Sequence, residues 1–270
     1  MAENSKIQWT DHTVNFWTGC KKVSPGCKFC YMFRDQERYG KEPTDVLQVA
    51  QKTINKVLKQ AKPGDKIFTC SWSDFFIEEA DEWRAWAWGI IRDNPHLNWQ
   101  ILTKRPERIA ENLPPDWGDG WQQVWIGVSV ETGKQLHRVK TLIELAAFPG
   151  IKTTFISAEP LLGPLEFDVN GRKDKNEPYI ISLLDGIDWV IVGGESGNDN
   201  GDWRYRPNQV AWMLRIVEQC NQSNTPVFVK QMGTHLAQQL KLKDRHGGDI
   251  SEFPCSLQIR QFPQTHGQNI

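Results

Sequence analysis

The sequence is poor in cysteine, nearly neutral in charge and without long apolar runs. Only 6 of the 270 residues are cysteine, and 32 lysines and arginines nearly balance 33 aspartates and glutamates, for a formal net charge of −1. No run of about 18 apolar residues is present, so we expect no membrane-spanning segment. The small net charge excludes nucleic-acid binding by bulk electrostatics, although local basic clusters such as "LTKRPER" remain candidate contacts.

A secretory signal is also missing, because "MAENSKIQWTDHT" has no basic start, apolar stretch or cleavage site. We therefore expect a cytoplasmic location. In that reducing compartment, clustered cysteines are more often metal ligands or catalytic groups than disulfides. Tryptophan, by contrast, is abundant, with 13 copies. We expect most of them to serve in packing, with base stacking in an aromatic cleft as the alternative.

The chain alternates short apolar runs with longer amphipathic segments. The apolar runs end in polar, glycine or proline residues and predict buried parallel strands. They lie within residues 14–20, 66–76, 98–106, 123–131, 152–161, 188–197 and 226–233. Helical spacing predicts helices over residues 44–61, 81–94, 132–148 and 207–222. Repeated βα units of this kind form either a complete or partial barrel or a doubly wound sheet.

Polar residues at the strand ends favour the barrel, because barrel enzymes gather functional groups at the carboxyl ends of many strands. These strand-end residues are Asp74, Lys104, Arg105, Ser129, Glu131, Ser157, Glu159, Glu195, Ser196, Lys230 and Gln231. We therefore predict an α/β fold, a partial or complete TIM-like (β/α) barrel, over residues 1–233. Residues 234–270 are predicted to form a C-terminal cap or extension of the same domain. Residues 170–186 are predicted to be an excursion between two barrel strands.

Three of the cysteines, Cys20, Cys27 and Cys30, lie in "WTGCKKVSPGCKFCYM". The Cys-x-x-Cys pair lets two thiolates reach one metal centre, and the turn-forming "SPG" returns the third cysteine to it. Structural zinc would need a fourth ligand, for which Cys70 in the next strand is a candidate. An iron–sulfur cluster on three cysteines would leave one iron open for a substrate or cofactor. A thiol redox site, or no metal site at all, is the third interpretation.

Six motifs together resemble one family. The motifs "WTGCKKVSPGCKFCYM", "LTKRP", "IGVSVE", "EPLLGP", "VIVGGESG" and "VKQMG" are similar to those of the phage Gp37/Gp68 family of radical S-adenosylmethionine-like (radical SAM-like) proteins. The resemblance implies a radical SAM-like barrel with a [4Fe–4S] cluster on Cys20, Cys27 and Cys30, whose open iron chelates S-adenosylmethionine. One electron from an external donor would cleave this cofactor to a 5′-deoxyadenosyl radical, which abstracts hydrogen from a substrate. The association with phages makes a nucleotide or nucleic-acid base a candidate substrate.

The resemblance and the chemistry of the strand-end residues suggest further site residues. "CSWSDFF" stands where the superfamily binds the methionine end of its cofactor, which makes Ser71, Ser73 and Asp74 candidate cofactor contacts, with Asp74 binding the ammonium. The other candidate cofactor contacts are Glu131, Glu159, Gly193, Gly194 and Glu195. The candidate substrate contacts, basic groups suited to a carboxylate or phosphate, are Lys104, Arg105, Arg204, Arg206 and Lys230. Helix caps, ion pairs and surface solvation are the structural alternatives for these residues.

Two classes of function therefore compete. One is a radical S-adenosylmethionine enzyme acting on an unidentified substrate. The other is a non-catalytic barrel that binds a nucleotide or a protein and uses its cysteines for a structural zinc or iron–sulfur site. An open iron predicts oxygen sensitivity and a spectral change when S-adenosylmethionine is added, whereas structural zinc predicts neither.

Overall fold

A computed structural model describes residues 4–174 and 177–264 of the chain. Its strands are β1 (His12–Val14), β2 (Trp17–Thr18), β3 (Leu47–Gln48), β4 (Lys66–Thr69), β5 (Asn98–Thr103), β6 (Val124–Ser129), β7 (Thr153–Ala158), β8 (Asp168–Asp174), β9 (Glu177–Ser182), β10 (Trp189–Gly193) and β11 (Val227–Gln231). Its α-helices are α1 (Tyr31–Arg38), α2 (Gln51–Leu58), α3 (Asp81–Arg92), α4 (His137–Leu145), α5 (Val210–Gln222) and α6 (Gly233–Gln239). Over these two ranges, the helices are all too short or too polar to cross a membrane.

Seven parallel strands form the main sheet, in the order β1-β4-β5-β6-β7-β10-β11. The register places Val14 opposite Thr69, and Thr69 opposite Ile101. The remaining strands form two antiparallel pairs, β2 with β3 and β8 with β9. The predicted α/β fold with seven parallel strands is confirmed, and this strand order is consistent with a partial (β/α) barrel. The radical SAM-like assignment stays a prediction.

The chain divides into two compact units. Unit 1 consists of Met1–Val128 and Leu145–Thr153, and unit 2 of Ser129–Glu144 and Thr154–Ile270. The cysteine loop and the strand ends after β4 and β5 therefore belong to unit 1. The strand ends after β6, β7, β10 and β11 belong to unit 2.

The core of unit 1 is rich in aromatic side chains. Phe16 and Trp99 stack with their ring centroids 6.1 Å apart, and Phe75 meets Trp88 edge-on at 4.9 Å. All four rings are buried. Helix α3 contributes Trp88 together with Ile91, because apolar residues recur on one of its faces. Tryptophan thus serves largely in packing here, as expected.

The segment predicted as a helix over residues 44–61 is helical only in α2. Just before α2, β3 pairs with β2, with Gln48 opposite Trp17, and the Val49 amide donates to the Phe16 carbonyl (2.8 Å). This strand partner overrides the local helical spacing, because tertiary contacts outweigh intrinsic propensity. The first predicted strand, over residues 14–20, is likewise divided between the end of β1 and β2.

Unit 2 contains the two irregular regions of the sequence. The β8–β9 hairpin and the turn after it occupy most of the predicted excursion over residues 170–186. The tail hydrogen-bonds along β11, where the Val229 amide donates to the Ile259 carbonyl (2.8 Å) and the Gln261 amide donates to the Val227 carbonyl (3.0 Å). Such pairing satisfies backbone groups that an open sheet edge would expose. The division of the chain at residue 233 into barrel and cap stays a prediction.

Candidate functional site

The cysteine loop joins β2 to α1 and places its three cysteines in three local structures. Cys20 lies just after β2, Cys27 ends a 3-10 turn, and Cys30 is the residue before α1. The Cys27 amide donates to the Ser24 carbonyl (3.0 Å), and the Cys30 amide donates to the Cys27 carbonyl (3.4 Å), which closes the turn. All three are free thiols, with Cys27 buried and the other two partly exposed.

Gly19 fixes the position of Cys20. Its φ of +94° lies in the left-handed region, and a Cβ built there would stand 2.7 Å from the Asp45 carbonyl carbon. The Gly19 amide donates to the Trp72 carbonyl (3.0 Å), and the Gly19 carbonyl accepts from the Ser73 hydroxyl (2.5 Å). Only glycine fits a backbone that is held in this conformation so close to its neighbours.

The ionisation of Cys20 depends on burial and on the charges around it. Burial first, and the charge of Asp74 second, raise the pKa of Cys20 to about 12. Cys27 and Cys30 also raise it, so their sulfurs are near enough to oppose a negative charge on Cys20. Burial likewise raises the pKa of Cys30, although the amides at the start of α1 lower it. In the part of the chain described, no group of three or more His, Cys, Asp or Glu side chains is arranged to hold a metal ion.

Asp74 connects the end of β4 to the end of β5, and its side chain is buried. Its Oδ1 accepts from the Thr103 hydroxyl (2.7 Å) and the Phe76 amide (3.0 Å). Its Oδ2 accepts from the Lys104 amide (2.9 Å) and from Arg105 Nη1 (3.0 Å). A carboxylate has about four acceptor positions, and four donors already occupy them. This geometry disfavours the predicted contact between Asp74 and a cofactor ammonium.

Basic groups surround the cysteine loop. Arg105 Nη2 donates to the Lys21 carbonyl (3.1 Å), next to Cys20. The Lys21 ammonium itself pairs with Glu79. Although burial dominates and raises the pKa of Cys30, the positive charge of Lys104 lowers it. The predicted Lys104 and Arg105 thus act on the cysteine loop within unit 1.

The two predicted serines stabilise the same loops. The Ser71 hydroxyl bonds to the Asn15 side chain (3.3 Å), and the Ser71 carbonyl accepts from the Tyr31 hydroxyl (2.5 Å). Asn15 is buried and also accepts from the Trp72 amide (2.9 Å). Sequence reasoning missed Asn15 and Tyr31, since Asn15 lies in an apolar run and Tyr31 only flanks the last cysteine. Their contacts tie the loop after β4 to the start of α1.

Cys70, the candidate fourth ligand, directly follows β4 and has a φ of +56°, which is unusual for a residue with a side chain. Burial raises its pKa to about 12, against a lowering effect of the Phe16 and Trp17 amides. The Cys70 sulfur therefore lies among backbone groups of the β1–β2 segment. Its role as a ligand stays a prediction.

Two of the predicted glutamates in unit 2 are buried, and each forms an ion pair with an arginine. Glu131 pairs with Arg138 of α4 at 3.1 Å. Glu195 accepts from the Arg206 amide (2.9 Å) and Nε (2.8 Å) as well as from its Nη2. Arg206, a predicted substrate contact, is thus the counter-ion of a predicted cofactor contact. Sequence reasoning missed Arg138, although a buried Glu131 requires a counter-ion.

The third glutamate forms a more accessible pair. Glu159 Oε1 accepts from Lys230 Nζ (2.9 Å), and both side chains are partly exposed. A Cβ at Gly193 would lie 2.5 Å from the same carboxylate oxygen. Gly193 belongs to β10, between β7 and β11, so its missing side chain lets Glu159 and Lys230 meet across that strand. The Glu159 carboxylate is thus more exposed than those of Glu131 and Glu195.

The two remaining predicted residues of unit 2 have different surroundings. A Cβ at Gly194 would lie 2.8 Å from the Met232 carbonyl carbon, and Gln231 Nε2 donates to the Gly194 carbonyl (2.8 Å). Gly194 thus allows close backbone packing against the start of α6. Arg204 is exposed.

The sequence profile of DUF5131, described as a protein of unknown function, matches residues 4–261. The chain belongs to the DUF5131 family. No curated protein and no solved structure matches it. The match covers nearly the whole chain, so the cysteine loop and the strand-end residues of this DUF5131 chain all lie within the family region.

In this DUF5131 chain, Glu195→Gln is expected to lower the free energy of unfolding by about 3 kcal/mol. The substitution leaves Arg206 without its counter-ion, and the lower end of the range for buried pairs applies because Arg206 is partly exposed. The matched control is Glu166→Gln, which breaks an exposed pair with Arg215 and is expected to change stability little. Urea unfolding of both variants measures the difference, and equal effects would contradict this assignment.

Proposed function

We propose that this chain is a radical S-adenosylmethionine-type enzyme with a radical SAM-like partial barrel, similar to the phage Gp37/Gp68 proteins. It holds a [4Fe–4S] cluster through Cys20, Cys27 and Cys30 and receives electrons from an external donor in the cytoplasm. Its substrate is unidentified, with a nucleotide or nucleic-acid base as the candidate class. The observation that carries this proposal is the set of three free thiols on one short loop, two of which, Cys27 and Cys30, raise the pKa of the third, Cys20.

The donor set fits such a cluster in its chemistry. Cysteine thiolates are the usual protein ligands of iron–sulfur clusters, and a set of three leaves one iron open. Burial makes the free thiols of Cys20 and Cys30 hard to ionise. Metal binding offsets this effect, because the thiolate is the form that ligates a metal. The positive charges of Lys104 and Arg105 act in the same direction.

The residues of the chain would bind the cluster, fix the position of its ligands and neutralise charge near it. When bound, the cluster and S-adenosylmethionine supply the one-electron cleavage that produces the 5′-deoxyadenosyl radical. Gly19 and Ser73 fix Cys20, and Asp74 holds Arg105 beside the loop rather than contacting the cofactor.

In unit 2, the polar strand ends offer a second set of contacts. The accessible Glu159 carboxylate and Lys230 ammonium suit a ribose hydroxyl and an anionic group respectively. Glu131, Gly193, Gly194 and Glu195 support this region by ion pairing and close packing, whereas the exposed Arg204 remains a candidate substrate contact.

Anaerobic reconstitution with iron and sulfide tests the proposal. We expect the reduced wild-type protein to give a [4Fe–4S] signal in electron paramagnetic resonance that changes when S-adenosylmethionine is added. The variant Cys20→Ala/Cys27→Ala/Cys30→Ala is expected to lose iron to the background level. The control Cys220→Ala/Cys255→Ala removes thiols outside the loop and is expected to keep the signal.

Other outcomes would contradict the proposal in distinct ways. Stoichiometric zinc without a cluster, lost in Cys70→Ala as well as in the loop variant, would favour the non-catalytic nucleotide- or protein-binding barrel. A cluster whose electron paramagnetic resonance signal does not change when S-adenosylmethionine is added would indicate a structural iron–sulfur site. A cluster retained by the loop variant would show that the three cysteines are not its ligands.

A further inference from the structure

Arg105 and Cys20 converge on one carbonyl group of the cysteine loop. Arg105 Nη2 donates to the Lys21 carbonyl at 3.1 Å, and Cys20 Sγ lies 3.5 Å from the same oxygen. The guanidinium and the Cys20 sulfur therefore share one acceptor oxygen of the loop. Only 8% of Arg105 is exposed, so water screens its charge weakly.

The orientation of Arg105 is fixed from the other side by Asp74. Arg105 Nη1 donates to Asp74 Oδ2 at 3.0 Å, and the carboxylate is held in turn by the Lys104 amide. A guanidinium has a rigid planar fork and stays protonated at all working pH values. Arg105 thus presents a permanent positive charge to the Cys20 side of the loop, and it also neutralises the buried carboxylate of Asp74.

Arg105 is thus the charged group whose hydrogen bond meets the Cys20 sulfur at the Lys21 carbonyl. A group that stabilises negative charge on a sulfur ligand also stabilises the reduced form of the centre that the sulfur holds, since hydrogen bonds and charge near the sulfurs tune cluster potentials.

We propose that Arg105 raises the reduction potential of the bound cluster by stabilising negative charge on the Cys20 sulfur. This inference rests on the proposed function. The step concerned is the uptake of one electron, which takes the cluster core from the 2+ to the 1+ state without a proton, and sodium dithionite supplies the electron in the test. Arg105 is then a positioning and tuning residue rather than a substrate contact.

A redox titration followed by electron paramagnetic resonance tests the inference on the reconstituted full chain. At a fixed potential, Arg105→Gln is expected to lower the ratio of reduced to oxidised cluster about tenfold, a shift of about 59 mV for a one-electron couple. The loss of the Asp74 counter-ion acts in the same direction. Arg105→Lys keeps the charge but loses the planar fork, so its shift is expected to be smaller.

Arg84→Gln is the matched control. Arg84 is a buried arginine of unit 1 that binds Asp81 and the Phe75 and Ile77 carbonyls. Its loss is expected to lower stability, measured by thermal unfolding, without shifting the potential. This comparison separates an effect of charge at Cys20 from a general loosening of the unit.

The possible results distinguish failure of the inference from failure of the proposed function. A cluster in the wild type with the same potential in both Arg105 variants would overturn the inference alone. An equal shift in Arg84→Gln would also overturn it. Should Arg105→Gln fail to load, Arg105→Met, which also removes the charge, takes its place, and an unshifted potential in that variant would have the same meaning. A wild-type protein that forms no cluster would overturn the proposed function and this inference with it.

Discussion

Asp74→Asn is expected to lower the free energy of unfolding by about 3–5 kcal/mol. The carboxylate accepts four hydrogen bonds, two at each oxygen. Asparagine keeps one oxygen, so its Nδ2 must face two donors whichever way the amide is turned. The buried guanidinium of Arg105 also loses its counter-ion. Urea unfolding monitored by tryptophan fluorescence measures the loss.

Asp116→Asn controls for the removal of a carboxylate from unit 1. Asp116 pairs with Arg92, and both side chains are about half exposed. Breaking such a surface pair is expected to cost less than about 1 kcal/mol. If the two variants lost similar amounts of unfolding free energy, the hydrogen bonds of Asp74 would contribute no more than a surface ion pair. Asp74 would then not hold the ends of β4 and β5 together.

The strands of the main sheet could be predicted from sequence because buried parallel strands are apolar along their whole length. β5 and β10 lie within the runs at residues 98–106 and 188–197. The pairing of β3 with β2 could not be predicted in the same way. It depends on a partner distant in the sequence, while the local spacing around Leu47 resembles that of a helix.

The strand-end residues were recognisable as a class, but their partners were not. The sequence interpretation gives Glu195 and Arg206 separate roles, and the structure joins them in one ion pair. Glu159 and Lys230 meet only because β7 and β11 flank β10, and because Gly193 has no side chain to separate them. The order of the strands and the space left by small residues determine which side chains pair. A local sequence pattern shows neither.

The same limit applies to Asp74. Its position after an apolar run indicates a functional acid, and the cofactor ammonium is then an attractive partner. Thr103 and Arg105, from the next strand end, take the acceptor positions instead. The register of β4 and β5 brings these groups together. An acid at one strand end is therefore evidence of a binding role only after the neighbouring strand end has been examined.

Gly19→Ala is expected to lower the free energy of unfolding by more than the cost of placing a side chain at a positive φ. Both Gly19 and Gly64 have φ near +90°, but only Gly19 has a neighbour in the way, the Asp45 carbonyl. Gly64→Ala is therefore the matched control, with an expected loss of about 1–2 kcal/mol for a left-handed backbone bearing a side chain. The additional loss in Gly19→Ala, measured by urea unfolding, reports the steric overlap.

The displacement caused by Gly19→Ala is expected to reach Cys20, the next residue. To make room for the new methyl group, the loop must move away from Asp45, and the bonds to Trp72 and Ser73 must lengthen. Disturbing groups that orient a metal ligand weakens metal binding by about 10–100-fold, so reconstituted Gly19→Ala is expected to retain far less iron than Gly64→Ala at equal folded fraction. Equal iron retention would show that the position of Cys20 does not depend on Gly19, and would remove the loop geometry from the argument for a cluster.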